Sequence, residues 1–289
     1  MKDANEYLRR IHKNELNPKK ILQELIFKEH VDKDLYQSFR QWSEDYRINE
    51  LSKKKAYEGV GDYPDLPETA EEIQALIYKI ESEPNLLASG HYISYCINKI
   101  PDEDIELEMK KAYSYLGENN NKNLTIKGDV ADWVGRKNKG KILVKGNAEN
   151  WVGAYMDGKE LIIEGNTGYL SGAYMKKGEL IIKKNCGDEP GHGLCGGSII
   201  VEGNAGNRIG SFMQEGQIFV KGDAGDKVGD HLEGGDVVIK GDAGKVYENK
   251  NLIKKYLGGS FDFRGNAKYL GDCMIGGSIE IKDQLYFWK

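Results

Sequence analysis

At 289 residues the chain has room for one large or two ordinary domains, each able to bury a core. A formal net charge of −5 and a pI near 5.7 exclude a bulk basic character, so neither nucleic acid nor a membrane surface is an expected partner. Cys96, Cys186, Cys195 and Cys273 form no CxxC pair, and neither a basic-then-apolar leader nor an apolar run of about 18 residues is present; a soluble cytoplasmic protein with reduced thiols is expected.

Only Gly59, Gly61, Gly90 and Gly117 of the 36 glycines precede residue 119, so two architectures share the chain. Residues 1–118 read as a helical domain, with helices near 18–30, 34–53, 67–82 and 102–116. Leu35, Phe39, Trp42 and Tyr46 recur at helical spacing on one face. Pro67 followed by Glu68-Thr69-Ala70-Glu71-Glu72 is a helix start, because the first turn tolerates proline and favours acidic residues. The Ser, His and Cys of SGHYISYC (89–96) are expected to pack and cap helices, since adjacency in sequence does not build a catalytic triad. The polar run GENNNKN (117–123) reads as a linker.

From Gly128 onward a unit of 18 or 19 residues recurs, starting at Gly128, Gly146, Gly165, a degenerate Lys184, Gly203, Gly222, Gly241 and, after a five-residue insertion, Gly265. Each copy runs Gly-Asx-small, an apolar residue with glycine, then an apolar-x-apolar strand. Self-similarity at this period is the signature of a solenoid whose copies bury their apolar faces only against neighbours. The expected fold is therefore a helical domain (1–118) followed by a parallel β-helix (119–289) of about eight rungs. Pairs such as Leu161/Ile163 and Ile218/Val220 face the interior. The Asx residues, Asp129 to Asn266, suit tight turns and can bond along the stack. A small-residue column containing Cys186 fits the corners. A column of alternating charge, Lys145-Glu164-Lys183-Glu202-Lys221, reads as exposed ion pairs.

The middle strand residues Leu143, Ile162, Ile181, Ile200, Phe219 and Val238 point outward yet are apolar; Asp262 and Glu280 follow them. Such a patch is larger than a soluble monomer usually leaves bare, so a cover is expected, from the N-terminal helices or from a partner protein.

The units GNAGNRIGSFMQEGQIFVKGDAGDKVG (203–229) and GNAENWVGAYMDGKELIIEGN (146–166), with methionines recurring at 156, 175, 213 and 274, resemble the GXGXG domain. That domain occurs in the C-terminal part of the glutamate synthase large subunit and makes up much of one of the subunits of formylmethanofuran dehydrogenase. The resemblance covers about 124–282. It implies a right-handed β-helix that packs against the catalytic parts of an oxidoreductase and supplies no catalytic residues or cofactor of its own.

Three stretches compete for chemistry. KNCGDEPGHGLCGG (184–197) gathers the ligand-type residues Cys186, His192 and Cys195, although C-x8-C with an internal His is not a zinc spacing. His231 and Cys273 share a column with Tyr155, Tyr174 and Phe212, two rungs apart, too far for a nucleophile–base bond. GNAGNRIGSFMQEG (203–216) looks like a phosphate loop, but its glycines recur in every rung and no helix follows. The expectation is a non-catalytic scaffold or assembly module, its partners oxidoreductase subunits or a second copy. The alternative is a stand-alone hydrolase or redox enzyme, or a ligand-binding module, with a site near 184–197.

Overall fold

The computed structural model describes residues 30–49, 57–81, 89–245, 260–263, 267–269, 277–281 and 284–288. The chain divides into two compact units, residues 1–86 and 87–289.

In the first unit a π-helical turn, Val31–Leu35, leads into helix α1, Tyr36–Asn49, and helix α2 spans Ala70–Glu81. The predicted apolar face is buried at Leu35, which ends the π-helical turn, and at Phe39 and Trp42 in α1. Helix α2 starts as its sequence dictates: the Glu72 N–H donates to Thr69 Oγ1 at 3.2 Å, and the Glu72 carboxylate accepts from the Glu68 N–H at 2.8 Å. This satisfies donors that a first helical turn leaves open. Ile73, Leu76, Ile77 and Ile80, at spacings of three and four, form its buried face. The helix expected at 18–30 lies outside the described residues except for His30.

The second unit opens with helix α3, Ser89–Lys99, and is otherwise a parallel β-solenoid. Its strands are β1 Asp104–Glu108, β2 Asn123–Lys127, β3 Lys141–Lys145, β4 Asp157–Ile163, β5 Lys177–Ile182, β6 Cys195–Val201, β7 Glu215–Val220 and β8 Asp236–Ile239. About seven turns link these eight strands, which pair in parallel, each with the next in sequence. Beyond β9, Ala243–Lys245, the strands β10 Ser260–Phe263 and β12 Gly277–Ile281 extend the same sheet in parallel; β11, Ala267–Tyr269, pairs with β9. Strand β13, Gln284–Trp288, turns back antiparallel on β12 and ends the sheet.

Register follows the sequence period. Leu161 pairs with Leu180, which pairs with Ile199, which pairs with Ile218, and all are fully buried. Each such side chain contributes about 1.5–3 kcal/mol by leaving water. The small column Val130, Ala148, Thr167, Cys186, Ala205, Ala224 and Ala243 is buried at the corners and stitched by isolated parallel bridges.

The helix expected at 102–116 is instead strand β1 and the first corner of the solenoid. Ile105 and Leu107 alternate inward, and Leu116-Gly117 occupies the place that Val134-Gly135 takes in the next rung. The expected linker 117–123 belongs to the same rung: Asn120 is buried and donates to Asn138 Oδ1 at 2.9 Å. Met109-Lys110 stands where later rungs carry Gly-Asx, which hides this copy from a search for the repeat. Helix α3 packs on that first rung. Ser94 Oγ donates to the Tyr115 carbonyl at 2.9 Å and accepts from the Gly117 N–H at 2.9 Å.

Candidate functional site

The predicted stripe and the predicted His192 and Cys195 fall on two separate surfaces of the solenoid. The outer face of its sheet carries Leu143, Ile162, Ile181, Ile200, Phe219 and Val238 in unbroken register, and each is half-buried. In the same register, Thr125 and Glu106 precede the stripe while Asp262 and Glu280 follow it. Alternation along the strands produces this face: Ile142 and Val144 point in, so Leu143 points out.

The expected structural glycines work mainly by closeness of approach. A Cβ at Gly146, Gly165, Gly203, Gly222 or Gly241 would strike the preceding rung's backbone or its Asx side chain. Gly128 adds a positive φ of 130°, and Gly265 lies outside the described residues. The Asx column bonds along the stack through the main chain. Asn185 Oδ1 accepts from the Asn204 N–H at 2.9 Å, Asn204 Oδ1 from Asp223 at 2.8 Å, and Asp223 Oδ1 from Asp242 at 2.8 Å. Those N–H donors make successive aspartates tolerable. A second ladder, unread in the sequence, runs through Asp188, Asn207 and Asp226. Its signal is the Asx three residues after the first.

The second surface is a cleft of about 390 Å³ lined by Tyr174, His192, Gly193, Cys195, Phe212, Gln214 and Glu233. Its origin is a gap in a column. Tyr155, Tyr174, Phe212 and His231 each adopt a φ of 55–59° at the corner and present a ring, but the equivalent residue of the rung between Tyr174 and Phe212 is Gly193, at the same φ of 59°. With no ring there, the preceding His192 fills part of the space. Its ring lies edge-on to Tyr174 at 5.5 Å and tilted to Phe212 at 5.4 Å, and Phe212 stacks on His231 at 4.7 Å. His192 thus joins the aromatic column instead of standing apart in a loop.

Polar groups fix His192. Nδ1 hydrogen-bonds Ser211 Oγ at 2.9 Å and lies 3.0 Å from a Glu189 carboxylate oxygen, leaving Nε2 as the ring nitrogen open to a ligand. Arg208 is 3.6 Å from Glu189. The Cys195 thiol donates to the Gly193 carbonyl at 3.2 Å and lies 3.6 Å from Gln214 Oε1. Cys186, by contrast, is not part of the cleft. It lies in the buried corner column, where burial pushes its thiol pKa upward. Among the described residues no three His, Cys, Asp or Glu side chains are grouped as a metal ion requires. Cys273 lies outside the described residues.

A third cluster sits under α3. His91 Nδ1 is 2.6 Å from Glu118 Oε2, both side chains are buried, and the other Glu118 oxygen pairs with Arg136. The His91, Tyr115, Trp133 and Trp151 rings stack in series above the first rungs. Ser94 and Cys96, its neighbours in SGHYISYC, are buried as packing and capping groups, and burial raises the Cys96 thiol pKa.

No family model matches the chain, and no curated protein is matched by it. Among the described residues no helix is long and apolar enough to cross a membrane.

Proposed function

We propose that this protein is a non-catalytic scaffold or assembly module that binds protein through the outer face of its solenoid sheet. The observation that carries this reading is the in-register apolar stripe from Leu143 to Val238. A module of this kind needs rigidity and a broad surface, and a stack of hydrogen-bonded rungs supplies both. The GXGXG-like sequence columns favour a right-handed β-helix acting in the cytoplasm beside the catalytic subunits of an oxidoreductase. The test is the double variant Ile181→Asp/Ile200→Asp. Two aspartates paired in register lower thermal stability somewhat, so circular dichroism checks that the variant stays folded, while protein association seen by native purification and sedimentation disappears. Association that survives both aspartates would refute the reading.

The cleft favours a second reading, a ligand-binding or thiol site, because a positioned histidine and a half-exposed cysteine line one cavity. In a Cys273→Ser background, Cys195 should alkylate in the native protein while Cys96 and Cys186 react only after unfolding. If His192 assists the thiol, His192→Ala slows that reaction and shifts its pH profile. An unchanged profile leaves Cys195 a merely accessible cysteine.

A further inference from the structure

The stripe is bordered by two columns of outward residues whose charges suit one particular occupant. On the entering side of the strands stand Lys141, Glu160, Glu179, Ser198, Gln217 and Asp236. Leaving the strands, the order is Lys145, Glu164, Lys183, Glu202, Lys221 and Lys240.

We infer that the occupant is a second copy of this chain, its sheet packed face to face against the first about a two-fold axis that runs along the strands between β5 and β6. This rests on the assembly reading above and names its partner. A two-fold contact must be self-complementary, and this one is. Rotation about that axis sets Ile181 opposite Ile200, Ile162 opposite Phe219, and Leu143 opposite Val238, so every apolar residue meets an apolar residue.

The borders agree. On the entering side Lys141 faces Asp236, and the neutral Gln217 and Ser198 face Glu160 and Glu179, with no like pair. Glu164 faces Lys221 and Lys183 faces Glu202 on the leaving side, where the only like pair is Lys145 with Lys240. Each pairing occurs twice in the dimer, giving by formal charge three kinds of attractive pair against one repulsive, added to the pairs that Glu202 makes with Lys183 and Lys221 and Lys141 with Glu160 inside each chain. A face-to-face two-fold in the interface parallel to the solenoid axis would oppose Lys141 with Lys145 and Glu160 with Glu164, cancelling its attractive pairs Glu179–Lys183 and Asp236–Lys240. Charge thus selects the antiparallel arrangement. Glu106 would meet Glu280 beyond the ends of the stripe, which confines the contact to the six rungs.

Size is consistent with a reversible dimer. Six rungs at ~4.8 Å and five residues at ~3.3 Å outline roughly 480 Å² per copy. That totals nearly the ~1,000 Å² at which specific interfaces begin.

The test exploits distance. Lys141 and Asp236 are separated by five strand spacings, about 24 Å within one chain, so any coupling between them must cross between copies. Sedimentation across a dilution series should show a wild-type dimer, and Ile200→Asp should weaken it by more than about a hundredfold. Lys141→Glu and Asp236→Lys should each weaken it roughly threefold to tenfold, and the double variant Lys141→Glu/Asp236→Lys should regain most of that loss. Circular dichroism of each variant checks that the monomer remains folded.

A monomeric wild type overturns the inference. The assembly reading then survives only if the wild type carries a stoichiometric heterologous protein that Ile200→Asp loses. A dimer indifferent to Ile200→Asp, or one in which the two charge reversals simply add, also overturns the inference.

Discussion

Gly222 shows how closely single atoms are held in this protein. A methyl group there would overlap Asn204 Oδ1 and the Gly203 carbonyl of the preceding rung, the same contacts that hold the two rungs together. Gly222→Ala should therefore lower stability by about 1–3 kcal/mol, read as a lower urea midpoint at unchanged slope. A tolerated alanine would show that the corner can open without cost. Gly193 illustrates the opposite use of the same residue. Where neighbouring rungs carry Tyr174 and Phe212, its missing side chain makes the cleft, and a Cβ there would lie 2.7 Å from the Tyr174 ring. That gap was legible in the sequence once rungs were aligned at 19 residues, because Gly193 then falls in an aromatic column. The placement of His192 was not, since a residue one step out of the column reaches the gap only through its own side-chain geometry.

Among the elements, the strands were the most legible and the first rung the least. Apolar-x-apolar triplets beside a recurring Gly-Asx identify β2 to β8, because inward side chains must alternate and corners must be tight. Strand β1 has the alternation without the corner signal, and its many acidic residues suit a helix equally well in isolation. Pairing in register with β2 decides the matter. The same junction holds the buried pair of His91 and Glu118, with the half-buried Arg136 on the second Glu118 oxygen, which ties α3 to the corner it covers. Removing the buried Glu118 carboxylate takes a hydrogen-bond partner from His91 and from Arg136 at once, so Glu118→Ala should cost about 1–3 kcal/mol. The loss should appear in chemical denaturation and as faster amide exchange in α3 and β1. A loss below about 1 kcal/mol would mean that water replaces the carboxylate freely.

At the scale of the whole molecule, a solenoid has no single centre; each rung is stabilised by the two beside it. Amide protection should therefore be greatest in β4 to β6 and decline toward β2 and β8, a gradient that hydrogen exchange resolves strand by strand. Uniform protection would instead indicate one all-or-none core. The sequence by itself determined the repeat, the parallel stack, the inward and outward columns and the outward apolar stripe, because a fixed period with alternating side chains allows few other ways to bury them. Only the tertiary structure decided that the solenoid begins at β1, that α3 caps it, that Cys195 and His192 share a cleft while Cys186 does not, and which charges border the stripe where the strands enter. Those features depend on which residues meet across a rung spacing of about 4.8 Å, and meetings between residues 18 or 19 positions apart are set by folding, not by local preference.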